Sequence, residues 1–113
     1  METNVKVWLL DMQQAIDEIF QFLGEERNFI TYQEDQKTKK AIERNLEIIG
    51  KAMSRIMKVN PAIRIINAKK IIGTRNRIIH SYDHISDEVI WTIVCRELPG
   101  LQLEIQGLLA NEK

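Results

Sequence analysis

Apolar residues recur along this chain at intervals of three and four, and no stretch combines alternating polarity with the paired turn residues of a hairpin. That periodicity restricts the fold to helices that bury one stripe each. Val5, Leu9, Met12, Ile16, Ile19 and Leu23 mark the first stripe, which predicts a helix from Val5 to Leu23 with Thr3 or Asn4 capping its start and Gly24 ending it. Thr31 and Glu34 have capping-box spacing, so a second helix is expected from there to just before Asn60 and Pro61. Its stripe runs through Ile42, Leu46, Ile49, Met53 and Ile56 and includes Gly50, where a close helix crossing is expected because a mid-helix glycine otherwise costs about 1 kcal/mol.

Pro61 to Ile66 reads as a connector. A third helix is expected from Asn67, burying Ile71, Ile72, Ile78 and Ile79, and a fourth behind the Ser86 cap, burying Val89, Ile90, Ile93, Val94 and Leu98. Pro99 and Gly100 then kink the helix or force it to restart before Leu101, Ile105, Leu108 and Leu109. With 113 residues the chain has material for one core, so residues 1–113 are expected to form a single all-α domain, an antiparallel bundle of four to five helices.

Several function classes fall away on residue content. No apolar run approaches the roughly 20 residues of a membrane span, and Met1 to Lys6 lacks the pattern of a signal peptide, so the expected location is the cytoplasm. The lone Cys95 sits in an apolar stretch and reads as a buried small hydrophobe. His80 and His84 are spaced i, i+4, but the HExxH arrangement is absent, and no metal or other cofactor is expected. Neither a nucleophile elbow nor a phosphate-binding glycine loop is present.

The formal charge is zero, yet the charges are segregated: between Glu47 and Asp83 there is no acidic residue, while Lys51, Arg55, Lys58, Arg64, Lys69, Lys70, Arg75 and Arg77 all lie inside. Such a segment can present a basic face to a phosphate backbone, and Lys69, Lys70 and Arg77 are the expected RNA-binding cations.

Within that segment lies Arg75-Asn76-Arg77-Ile78-Ile79-His80-Ser81-Tyr82. An arginine a few positions before a histidine is common, but asparagine after the arginine and tyrosine two places after the histidine make the string specific. It resembles the motif of the HepT-like group in the HEPN superfamily. Leu46-Glu47-Ile48-Ile49-Gly50 is similar to that family's mid-helix signature, Trp91, Ile93 and Val94 to its late helix, and Leu98-Pro99-Gly100-Leu101 to its end. Lys51 departs from the glutamate usual after the glycine, and the tryptophan common shortly after Pro61 is missing.

The resemblance implies a HEPN fold and a homodimer that sets two motifs across one cleft. It implies a toxin acting as a metal-independent endoribonuclease that leaves a 2′,3′-cyclic phosphate, and a partner nucleotidyltransferase antitoxin that silences it by modifying Tyr82. The alternative is a catalytically silent HEPN module that binds nucleotides or serves as a nucleotidyltransferase's accessory subunit. The residue chemistry suits the first. Histidine, with an ordinary pKa of about 6.5, exchanges protons near neutral pH, and arginine grips phosphate oxygens through a planar fork. His80 is the expected acid or base and Arg75 the expected stabiliser of transition-state charge. On one helix Asn76 and His80 differ by about 40°, so Asn76 is expected to orient the imidazole, whereas Arg75 and His80 stand about 140° apart.

Overall fold

A computed structural model describes residues 2–80 and 85–111. Its helices are α1 (Thr3–Leu23), α2 (Phe29–Glu34), α3 (Gln36–Val59), α4 (Ala68–His80), α5 (Asp87–Thr92) and α6 (Leu98–Ala110), the last two joined by a π-helical turn over Ile93–Glu97. Among the described residues there is no strand. Because α5, the π turn and α6 run on without a break, the described residues make five helical bodies, an all-α bundle as the periodicity predicts.

The core is built mainly where α1 lies along α3. Leu9, Met12, Ile16 and Ile19 meet Ile42, Ile49, Met53 and Ile56, and all eight are fully buried. Each such side chain contributes about 1.5–3 kcal/mol on leaving water. Asn45 sits inside this seam and is satisfied: its amide donates to the Ala15 carbonyl at 3.1 Å and to Glu18 at 3.1 Å. Ile90, Leu98 and Ile105 close the core from the C-terminal body, which Gln102 ties to Asp17 of α1 at 2.8 Å.

Helix α1 starts at Thr3, behind Glu2 and without a side-chain cap, so neither Thr3 nor Asn4 caps it as expected. Three further boundaries differ from expectation, each for a local reason. Thr31 does not open the long helix. Asn28 caps the short α2 by accepting from the Thr31 amide, and Asp35 then caps α3 by accepting from the Thr38 amide, so the carboxamide and carboxylate win the cap positions over the threonine. Asn67 stands outside α4 in the left-handed region, φ 67°, which asparagine tolerates better than most residues. At Pro99 the helix neither restarts nor simply kinks. The preceding turn widens to i→i+5 bonding, with the Leu98 amide donating to the Ile93 carbonyl. A proline ring collides with the carbonyl four residues back, here that of Cys95, and the wider turn makes room for it.

Burial on α4 is thinner than its isoleucines suggest. Ile71 is buried, Ile72 and Ile78 are half-buried, and Ile79 is 43% exposed. The helix packs on α3 along one side and leaves hollows on its other sides. Cys95, expected inside, is only partly buried.

Candidate active site

The site residues are positioned by a single close crossing. Gly50 lies opposite Arg75: a Cβ at position 50 would come within 2.2 Å of the Arg75 Cβ, 2.8 Å of its Cγ and 3.3 Å of the Ile71 carbonyl oxygen. The arginine stem occupies the space that any other residue at position 50 would fill. This is the close approach that a glycine in the middle of a 24-residue helix predicts, and it is what offsets the glycine's helix-propensity cost.

Held there, the Arg75 guanidinium lines a groove of about 310 Å³ between α1, α3 and α4, together with Trp8, Lys51, Arg55 and Ile79. Its Nη1 donates to Asn76 Oδ1 at 3.1 Å, while its Nε is buried with no acceptor. Leaving such a donor dry and unpaired costs about 1–3 kcal/mol or more for a charged group. Asn76 therefore engages the guanidinium through its side-chain oxygen, where its azimuth predicted the imidazole instead.

His80 is the last residue of α4 and is exposed. It stands about 7.5 Å from Arg75 along the helix axis and about 140° around it. Arg75 borders the groove, and among the described residues His80 is not part of its lining. Tyr82, with His84, lies outside the described residues.

The basic segment does not gather on one side of α4. Lys70 and Arg77 line a different hollow of about 640 Å³ toward α5, where Thr74, Glu88 and Thr92 also contribute. Lys70 is ion-paired with Glu97, whose Oε2 is buried without a partner. Lys69 borders a third hollow, of about 420 Å³, beside the connector. None of these three cations lines the Arg75 groove. Besides Arg44, which precedes the acid-free run, the groove holds Lys51 and Arg55 from within it, but the run alone does not place them beside Arg75. The i, i+4 spacing that sets them on one face of α3 is the signal that could have found them.

Titration elsewhere points to structure. Burial pushes the Tyr32 phenol upward, with Asp87 and Glu43 adding to it, so that phenol stays neutral. Burial also raises the Cys95 thiol against a smaller pull from Arg27, which disfavours the nucleophilic thiolate. Among the described residues no group of three or more histidine, cysteine or carboxylate side chains could hold a metal ion, and no helix is long and apolar enough to cross a membrane.

Comparison with known proteins adds an independent line. A family model described as ribonuclease HepT-like matches residues 12–108. A protein of Methanocaldococcus jannaschii named as a candidate RNase is 30% identical over 110 residues, covering 96% of this chain and 89% of its own length. A protein of Thermococcus cleftensis named as a probable ribonuclease HepT is 30% identical over 115 residues, covering 96% of this chain and 98% of its own length. A candidate RNase of Caldanaerobacter subterraneus subsp. tengcongensis is 30% identical over 87 residues, 76% of this chain and 78% of its own. No solved structure matches this chain.

Proposed function

Because the chain belongs to the HepT-like ribonuclease family, we propose that it is an endoribonuclease in which Arg75 stabilises charge at the reacting phosphorus and His80 moves the proton. The observation that carries this reading is the Gly50 crossing: it fixes an arginine that pairs with no described carboxylate at the wall of a groove, on the same helix that ends in an exposed imidazole.

The reaction that fits is transesterification. The ribose 2′-oxygen attacks phosphorus, the 2′-hydroxyl proton passes to an imidazole, and the bond from phosphorus to the 5′-oxygen breaks as that oxygen takes a proton. The product is a 2′,3′-cyclic phosphate. Charge on the phosphorane-like oxygens is met by a guanidinium that is ionised at every physiological pH. General acid or base action contributes about 10²–10⁴-fold. Since Arg75 and His80 face different directions in one chain, a homodimer that brings two copies of α4 together supplies one His80 for each proton step.

The protein acts as the toxin of a pair, and a partner nucleotidyltransferase silences it by adding nucleotide to Tyr82. An anionic, bulky group two residues beyond His80 competes with RNA phosphate for the same cations, which is a physical reason for inhibition.

The test is cleavage of mixed single-stranded RNAs by the purified chain and by Arg75→Ala and His80→Ala, with circular dichroism to confirm folding. Both variants should be folded and lose cleavage. If both cut as fast as the parent, the site lies elsewhere. Co-expression with the partner transferase should add nucleotide mass to the parent and not to Tyr82→Phe.

A further inference from the structure

The groove beside Arg75 runs along α3 to both sides of the Gly50 crossing, from Arg44 and Glu47 to Arg55, and its Arg55 end lies away from His80. Helices α3 and α4 run antiparallel: Met57 shares a hollow with Ala68 and Lys69, Gly50 meets Ile71 and Arg75, and Ile48 lies with Ile79. From Arg55 to the Gly50 crossing is about 7.5 Å along α3, and from Arg75 to His80 is about 7.5 Å along α4 in the same direction. The order along the groove is therefore Arg55, Lys51, Arg75, His80.

Lys51 and Arg55 are exposed, one turn apart, and neither has a carboxylate partner among the described residues. Of the two carboxylates at the groove, Glu47 is paired with Arg44 at 3.2 Å, which leaves three cations against Asp11. Half-buried Trp8 of α1 forms part of the opposite wall. A line of unpaired cations with one aromatic face beside it is the chemistry that holds single-stranded nucleic acid: charges track the backbone and a ring stacks a base.

We infer that the α1–α3–α4 groove seats the substrate strand on the side of the scissile phosphate away from His80, with Lys51 and Arg55 holding its phosphates and Trp8 stacking a base. The stretch from Arg55 to His80, about 15 Å, accommodates about four stacked nucleotides at ~3.4 Å per step. The assignment rests on the ribonuclease reading for its orientation, but the binding itself is separable from cleavage.

The experiment measures binding of a fluorescently labelled 2′-O-methyl oligoribonucleotide, single-stranded and uncleavable because its 2′-oxygens are blocked, across a range of salt concentrations. Lys51→Ala/Arg55→Ala should weaken binding about tenfold and reduce the slope of log K against log salt by about 0.7 for each phosphate no longer neutralised. Lys58→Ala, an exposed cation on the same helix outside the groove, should change affinity less than about twofold. Trp8→Leu, which keeps an apolar side chain against the core, should weaken binding at least about fivefold, and Trp8→Phe should retain most of it. On cleavable RNA the double variant should raise KM and leave kcat in place.

If the parent fails to bind the oligonucleotide, or the double variant binds it with unchanged affinity and salt slope, the groove assignment is overturned even where RNA is cut. If the parent cuts no RNA yet the double variant loses binding, the groove assignment stands and the ribonuclease reading falls.

Discussion

Two places in this molecule take a long cationic side chain partly out of water, and they treat it in opposite ways. In the corner where α2, α3 and α5 meet, Lys39 is almost buried, with 11% of its side chain exposed, and its ammonium donates to Asp87 at 3.1 Å and to the Gln33 carbonyl at 3.4 Å. Beside it Tyr32 packs on Trp91 with ring centroids 5.2 Å apart, and Phe29 meets Trp91 edge-on at 5.7 Å. At the α3–α4 crossing, Arg75 has its neighbour Asn76 as its acceptor among the described residues and keeps a buried Nε without one there. The first corner completes its own electrostatics and so serves the fold. The second sets Arg75 beside Lys51 and Arg55, none of them paired with a described carboxylate, and such uncompensated positive charge at a groove is the kind of feature that marks a candidate site for an anion.

That contrast can be broken most forcefully at the crossing. Arg75→Ala and His80→Ala should each lower RNA cleavage by about 10²–10⁴-fold while thermal stability stays close to the parent's, as seen by single-turnover cleavage beside a melting curve. Gly50→Ala comes next. Its new Cβ must displace Arg75, and a shift of about 1 Å can cost about 10²-fold in rate, so cleavage should fall much further than melting temperature. Full activity in Gly50→Ala would show that the crossing does not aim the guanidinium.

At the satisfied corner the pattern should reverse. Lys39→Ala leaves Asp87 without its partner beside Tyr32 and should destabilise the fold by about 2 kcal/mol, discounted from the fully buried case because Asp87 is 22% exposed, with cleavage per folded molecule unchanged. Chemical denaturation and active-site titration separate the two. The smallest effect belongs to Asp35. Hydrogen bonds from the Thr38 hydroxyl and amide, the hydroxyl's being the larger influence, hold its carboxyl below the usual carboxylate range. A carboxyl lowered by folding contributes stability above its unfolded pKa and loses it as pH falls through the folded one, so Asp35→Ala should narrow its stability gap to the parent on acidification. A gap that is constant from neutral pH to below the carboxylate range would contradict this.

Much of the crossing was legible in the sequence and little of the corner was. Helix α1, the stripe of α3 and the Ser86 cap follow from periodicity and local hydrogen bonding, which act within a few residues. Gly50 was readable because a glycine inside a long helix needs a packing reason, and Arg75 because its string with His80 is specific. Partnerships across the chain were not: Lys39 finds Asp87 48 positions away, and Trp8 reaches the groove from another helix, neither of which leaves a periodic trace. The acid-free run predicts cations without saying which side of α4 they take, and that is why Lys70 and Arg77 line a hollow apart from Arg75. Asn76 faced a choice between two adjacent partners that azimuth alone does not resolve.

The most direct measurement is the chemistry of the ends left on RNA cut by the purified chain, read by mass spectrometry of a short defined oligonucleotide. An Arg75 and His80 centre yields 2′,3′-cyclic phosphate on one fragment and a free 5′-hydroxyl on the other, and replacing the single 2′-hydroxyl at the cut by hydrogen stops the reaction there. Fragments ending in 3′-hydroxyl and 5′-phosphate, or cutting that ignores the missing 2′-oxygen, would contradict it.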